Sequence, residues 1–319
     1  MFDVHSVDGR TTLLVGFHLG DPLNLQYARR YMRYCAMPTR FRPPLPAEFA
    51  SVSTILIEDD RVAARLVNSV PGPEVVAASD ALRLRFGASH VESRPDGTVH
   101  VSVRASDRAG RTLSADLIFT PAFRATHRLT RTPHETIILN DPLHRVEGEL
   151  QAFNGAGGGM TTAPRVRQIA GLGYHEHIVA LQSLLDEREP ITRGRALGGD
   201  RVVVVHGNQT ITIGGGASGG GHAQSAVAWA SRPSISAERL LPQSVGQDAQ
   251  ATVETPAEIE PGRHDDVTEA KPLPWRADRP RVIDSSFASK LLRYDSHPPL
   301  GSALAQIIYP RRLAARAFI

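Results

Sequence analysis

Cysteine is nearly missing from this chain: Cys35 is the only one in 319 residues. A single thiol closes no intrachain disulfide and builds no cysteine-rich zinc site, so packing and polar contacts have to hold the fold. Lysine is almost as scarce. Lys271 and Lys290 are the only two among 36 basic residues, which argues against Schiff-base chemistry at a central lysine. The 36 basic residues face 33 acidic ones, and no dense basic tract concentrates the net charge of +3. Nucleic acid is therefore not an expected partner. No apolar run approaches the roughly 20 residues that cross a bilayer as a helix. The opening Met-Phe-Asp-Val-His carries neither a basic flank nor a signal segment, so a cytoplasmic chain without a transmembrane segment is expected. Peripheral contact with a membrane is compatible with that expectation.

Glycine is plentiful, but not in the contexts that bind phosphate. Residues 154–164, Asn-Gly-Ala-Gly-Gly-Gly-Met-Thr-Thr-Ala-Pro, lack the Gly-Lys-Ser/Thr ending of a P-loop and read as a connection. Gly214–Gly221 follows no strand-to-helix beginning and reads first as an exposed hairpin or loop, then as a cavity rim or an anion-binding nest. No nucleotide or other cofactor is expected.

The apolar fraction of 41% suits a globular chain, and the length corresponds to about two domains at roughly 150 residues each. Alternating apolar residues mark strands at 11–19, 51–57, 62–67, 82–86, 99–103 and 113–119. Asp59-Asp60, Arg94–Gly97 and Asp107–Gly110 supply hairpin-turn chemistry between them. Helical spacing is confined to 25–34 and 178–188, and further strands are expected at 201–205, 210–213, 226–230 and 251–253, with a closing segment at 286–294. The expected architecture is mainly β: two antiparallel barrels or barrel-like sandwiches, over 1–153 and 165–319, joined by 154–164. A closed barrel removes edge strands and can keep a ligand-sized interior.

The densest chemistry lies in Gly171-Leu172-Gly173-Tyr174-His175-Glu176-His177. A phenol, two imidazoles and a carboxylate stand within four residues, a set able to move protons or orient a ligand. In an extended strand His175 and His177 share one face while Tyr174 and Glu176 share the other, so only a bulge or turn would bring all four together. Structural hydrogen bonding and metal ligation are the competing uses. His-x-His supplies two ligands, and His206 and His222 would have to reach it through folding.

With these residues the chain resembles the carotenoid 1,2-hydratase family, within the wider set of AttH-like proteins built from two lipocalin-like β domains. The resemblance runs through Phe2-Asp3-Val4, Asp8-Gly9-Arg10, the Leu13–Pro22 segment and Gly171–His177, and returns from Trp275 to Arg312. Family members follow the histidine-acid-histidine segment with Asn-Trp-Gly, where this chain continues Ile178-Val179-Ala180. The resemblance implies acid-assisted addition of water to a terminal alkene of a carotenoid or other terpenoid, without a redox cofactor. Glu176 would be the acid, His175 or His177 would orient or deprotonate the water, and Tyr174 would position the acid or the developing cation. Asp21, Trp229 and Trp275 are the candidate substrate contacts, each weighed against a turn or core role. An intramolecular cyclase of a polyene, polyketide or terpenoid, and a non-catalytic carrier of hydrophobic small molecules, are the alternatives.

Overall fold

The computed structural model of the chain describes residues 1–20, 24–78, 82–132, 135–153, 165–180, 191–207, 209–214, 281–285, 289–295 and 300–308. The described strands are β1 (Phe2–Ser6), β2 (Thr11–His18), β3 (Ala50–Glu58), β4 (Arg61–Val70), β5 (Val75–Ala77), β6 (Arg83–Phe86), β7 (Ser89–Ser93), β8 (Val99–Ser106), β9 (Thr112–Pro121) and β10 (Thr126–Thr132). They continue with β11 (Glu135–Asn140), β12 (Leu143–Phe153), β13 (Arg165–His175), β14 (His177–Ala180), β15 (Ile191–Gly198), β16 (Arg201–His206), β17 (Gln209–Gly214), β18 (Arg281–Ser285), β19 (Ser289–Asp295) and β20 (Leu300–Ile308). Among the described residues the one α-helix, α1 (Leu25–Ala36), stands between β2 and β3.

Alternation produces these strands. On β9, Leu113, Ala115, Leu117 and Phe119 are buried, while the residues between them keep some exposure. Between β3 and β4, Asp59 and Asp60 both take left-handed conformations, φ 47° and 62°, which suits a two-residue hairpin. The Arg94–Gly97 and Asp107–Gly110 turns join β7 to β8 and β8 to β9. The helix expected at 25–34 forms and extends to Ala36, capped by Asn24 Oδ1, which accepts from the N–H groups of Gln26 and Tyr27. The helix expected at 178–188 is corrected over its described part: Ile178–Ala180 belong to β14, where Ile178 pairs with Ile137 of β11. Cross-strand packing overrides the local spacing there. Residues 181–190, and the strands expected at 226–230 and 251–253, lie outside the described residues.

Eleven strands form one antiparallel sheet in the order β4-β3-β2-β1-β13-β12-β9-β8-β7-β6-β5. It curls until β4 meets β8: Asn68 Nδ2 donates to the Ser106 carbonyl (3.0 Å), and the Ser106 N–H donates to Asn68 Oδ1 (3.1 Å). The sheet is barrel-like and nearly closed, with Phe2, Val4, Leu13, Val15, Leu117 and Phe119 in its interior core. No second closed barrel is formed among the described residues. Among the described residues the remaining strands form two smaller open sheets, β10-β11-β14 and β17-β16-β15-β20-β19-β18. The six-stranded sheet buries an apolar face against the outside of the first, where Leu14 and Ile57 meet Ile283, Leu291 and Leu304, so it need not close on itself. The first strand of the expected 165–319 unit, β13, lies between β1 and β12 of the large sheet, and residues 154–164 lie outside the described residues.

Arginines tie the sheets together. Arg195 of β15 reaches Asp3 of β1, Arg293 of β19 reaches Asp60 (2.5 Å), Arg65 of β4 reaches Asp284 of β18 (2.7 Å), and Arg193 of β15 reaches Glu135 of β11.

Two glycines of β13 allow its close packing. A Cβ on Gly171 would lie 1.9 Å from the His5 carbonyl oxygen, and one on Gly173 would lie 2.3 Å from Val146 Cγ2 and 2.7 Å from the Phe119 ring. Gly171→Ala is therefore expected to lower unfolding free energy by about 1–3 kcal/mol in urea titration. Gly199→Ala, where nothing stands within 4 Å, should leave it nearly unchanged.

Candidate functional site

β13 and β14 are one stretch of chain interrupted at Glu176, where the chain passes from the eleven-stranded sheet to the three-stranded one. The Glu176 N–H donates to the Met1 carbonyl (3.0 Å), which carries the β1–β13 ladder one residue further. The register places Asp3 opposite Tyr174 and Phe2 opposite His175. Because side chains alternate, two polar groups result, one on each face.

On the outer face, the Tyr174 hydroxyl donates to Glu176 Oε2 at 2.8 Å, and both residues are buried. Asp3, with no exposed surface, accepts from Arg195 Nε, and the guanidinium carbon stands 5.4 Å from the centre of the Tyr174 ring. His5 approaches Asp3 Oδ2 (3.4 Å) and Thr12 Oγ1 (3.3 Å). Burial acts to raise the Asp3 carboxyl, but the Arg195 charge and the His5 contact outweigh it and hold the acid below its ordinary range. Against its own burial, Arg195 is held above its ordinary range by Asp3 and Glu176. Burial, then the neighbouring Glu176, push the Tyr174 phenol well above its usual value, so the hydroxyl stays a donor.

On the inner face, His175 stacks on Phe2 with centroids 4.4 Å apart and planes 5° apart. His177 meets it edge-on at 4.7 Å, and His144 of β12 stands at 6.2 Å. Burial, then His177, drive the His175 imidazole well below its ordinary value, and burial likewise lowers His177. Burial pushes His144 down to about 4. These rings are neutral at pH 7.

The structure therefore unites Tyr174 with Glu176, and His175 with His177, but sets the two pairs on opposite faces of the strand. Asp21, Trp229, Trp275 and His222 lie outside the described residues. His206 stands on β16, 3.6 Å from Glu135, and not with the His-x-His pair. Among the described residues no group of three or more His, Cys, Asp or Glu is arranged to hold a metal ion. Four polar atoms on β1, β12 and the crossover are buried with no hydrogen-bond partner among the described residues: Asp3 Oδ1, His144 Nδ1, His175 Nε2 and Glu176 Oε1. A solvent-open depression of about 440 Å³ lies elsewhere on the large sheet, lined in part by Val52, Val70, Phe86 and Leu113, and includes none of residues 174–177.

Asp3, Arg195 and His144 were not singled out from sequence. An aspartate inside the Phe-Asp-Val-His strand is the one local signal for the first; Arg195 lies 192 residues from its partner and gives none. Compared with known proteins, the chain matches no family model and no curated protein. Its own geometry defines the class: a mainly β protein whose nearly closed eleven-stranded sheet is consistent with the lipocalin-like superfamily. Among the described residues no helix is long and apolar enough to cross a membrane.

Arg195→Met would leave Asp3 buried without its charge partner, and a loss of about 3–5 kcal/mol is expected in urea unfolding. The histidines set a pH dependence. The unfolded chain takes up a proton at His144 below its ordinary pKa, whereas the folded chain resists it until about pH 4. Stability is thus full above about pH 6.5 and falls as pH drops toward 4. His144→Gln should shrink that fall by up to about 3 kcal/mol, at about 1.4 kcal/mol per pKa unit, measured by unfolding at a series of pH values.

Proposed function

We propose that the chain is an enzyme that adds water to a terminal alkene of a carotenoid or other terpenoid, with Glu176 as the acid. The observation that carries this reading is Glu176 Oε1, a buried carboxyl oxygen with no hydrogen-bond partner among the described residues. Buried polar groups are nearly always satisfied, and a catalytic role is one explanation for an exception. Tyr174 engages Oε2, which fixes the carboxyl group and leaves Oε1 as the oxygen for proton transfer. Transfer to the less substituted alkene carbon forms a C–H bond, and the π pair leaves a tertiary cation on its neighbour. Water adds to that cation and returns a proton to the Glu176 carboxylate, so the acid is regenerated. Asp3 pairs with Arg195 nearby and compensates that positive charge. The resemblance of Gly171–His177 to the carotenoid 1,2-hydratases supports the substrate class. His175 and His177, on the opposite strand face, are not assigned to the same reacting carbon.

A second reading, carriage of an apolar small molecule without chemistry, is favoured by the depression at Phe86, whose volume of about 440 Å³ falls within the range of ligand sites. Incubation with an acyclic carotenoid in ¹⁸O-water distinguishes the readings. Hydration gives a product heavier by one water, labelled from solvent, and Glu176→Gln is expected to lower its rate at least about a hundredfold while the fold is retained by circular dichroism. Undiminished turnover in that variant would overturn the acid's role. A product of unchanged mass would show cyclisation, and unaltered bound ligand would show carriage.

A further inference from the structure

We infer that the surface built by α1 and the segment after it is a docking site for an anionic lipid bilayer. Residues 24–47 contain Arg29, Arg30, Arg33, Arg40 and Arg42 and not one aspartate or glutamate. Glu48, just beyond, answers two of them: it pairs with Arg30 at 3.0 Å and with Arg42. Arg29, Arg33 and Arg40 have no acidic partner among the described residues. Gln26, Arg29, Arg30 and Arg33 line a surface depression of about 460 Å³ closed on its other side by Glu48 and Phe49, wide enough to seat a phosphate headgroup. The overall count of charges hides this patch, because acidic residues elsewhere in the chain balance it.

Exposed aliphatic side chains stand beside this charge. Leu19 is 48% exposed, Met37 42% and Leu45 52%. The Gly20 backbone approaches Pro46, which brings the Leu19 turn beside the Leu45 turn. Met37 caps the C-terminus of α1, one turn beyond Arg33. Tyr27 and Tyr31 stack at 6.2 Å, and Tyr34 follows at 6.5 Å, giving the helix amphipathic rings of the kind that settle at headgroup depth. Cationic side chains over an anionic surface with aliphatic groups inserted beside them are the pattern of interfacial membrane binding. A nucleic acid would satisfy the arginines but offers nothing to Leu19, Met37 and Leu45. A bilayer satisfies both, and it is also where an apolar terpenoid partitions.

The test is sedimentation of the full chain with vesicles of phosphatidylcholine alone and of phosphatidylcholine mixed with phosphatidylglycerol. Binding is expected only to the mixed vesicles, weakening as salt is raised. The variant Arg29→Gln/Arg33→Gln/Arg40→Gln should bind about a hundredfold more weakly, and Leu45→Ser about tenfold, both with the wild-type unfolding midpoint because every altered side chain is exposed. Equal sedimentation with the two vesicle types, undiminished binding by the triple variant, or binding to single-stranded RNA in place of vesicles would each overturn the assignment. Glu176→Gln should bind vesicles as wild type does, so this result stands or falls apart from the chemistry at Glu176.

Discussion

The passage of a single strand from one sheet to another at Glu176 is the constraint on which the rest of the structure depends. Side chains on that strand alternate with period two on either side of the crossover, so Tyr174 and Glu176 must face the outer sheets while His175 faces the interior of the curled sheet. Asp3, opposite Tyr174 in the register, is thereby carried into a dry contact between sheets, and a carboxylate there requires a cation. Arg195 of β15 supplies it, which in turn fixes where the six-stranded sheet sits.

The near exclusion of lysine, opaque as composition, acquires a physical meaning from these contacts. Arg195, Arg193, Arg293 and Arg65 each join one sheet to another through a carboxylate, and Arg293 also donates to the Gly9 carbonyl at 3.0 Å. A guanidinium keeps its charge when buried, spreads it, and offers several donors in a fixed plane, whereas an ammonium shifts its pKa readily in the same place. In a chain with one cysteine, such ties and the apolar faces between them hold the sheets together.

How much was legible in the sequence depended on whether the deciding contact was local. The β9 alternation and the Asp59-Asp60 turn depend on neighbours in the chain, and both appear where the residues indicate. The division of Tyr174 and Glu176 from His175 and His177 was legible for the same reason. Ile178–Ala180 misleads because its partner, β11, lies some forty residues away and turns helical spacing into a strand. The two smaller sheets of the described residues are not legible, because composition reports how much strand there is but not what each sheet packs against; Leu14 and Ile57 provide an apolar surface that open strands can cover. Nothing near Arg195 announces Asp3.

If Glu176 is the acid, the Tyr174–Glu176 pair is kept for chemistry and not for stability. Equilibrium unfolding of the double variant Tyr174→Phe/Glu176→Met tests it most directly. Removing both partners together leaves no hydrogen-bonding group stranded and eliminates the unpartnered Oε1, so the variant should be as stable as wild type or more so. A loss of several kcal/mol would contradict the claim and make the pair a structural element of the sheet crossover.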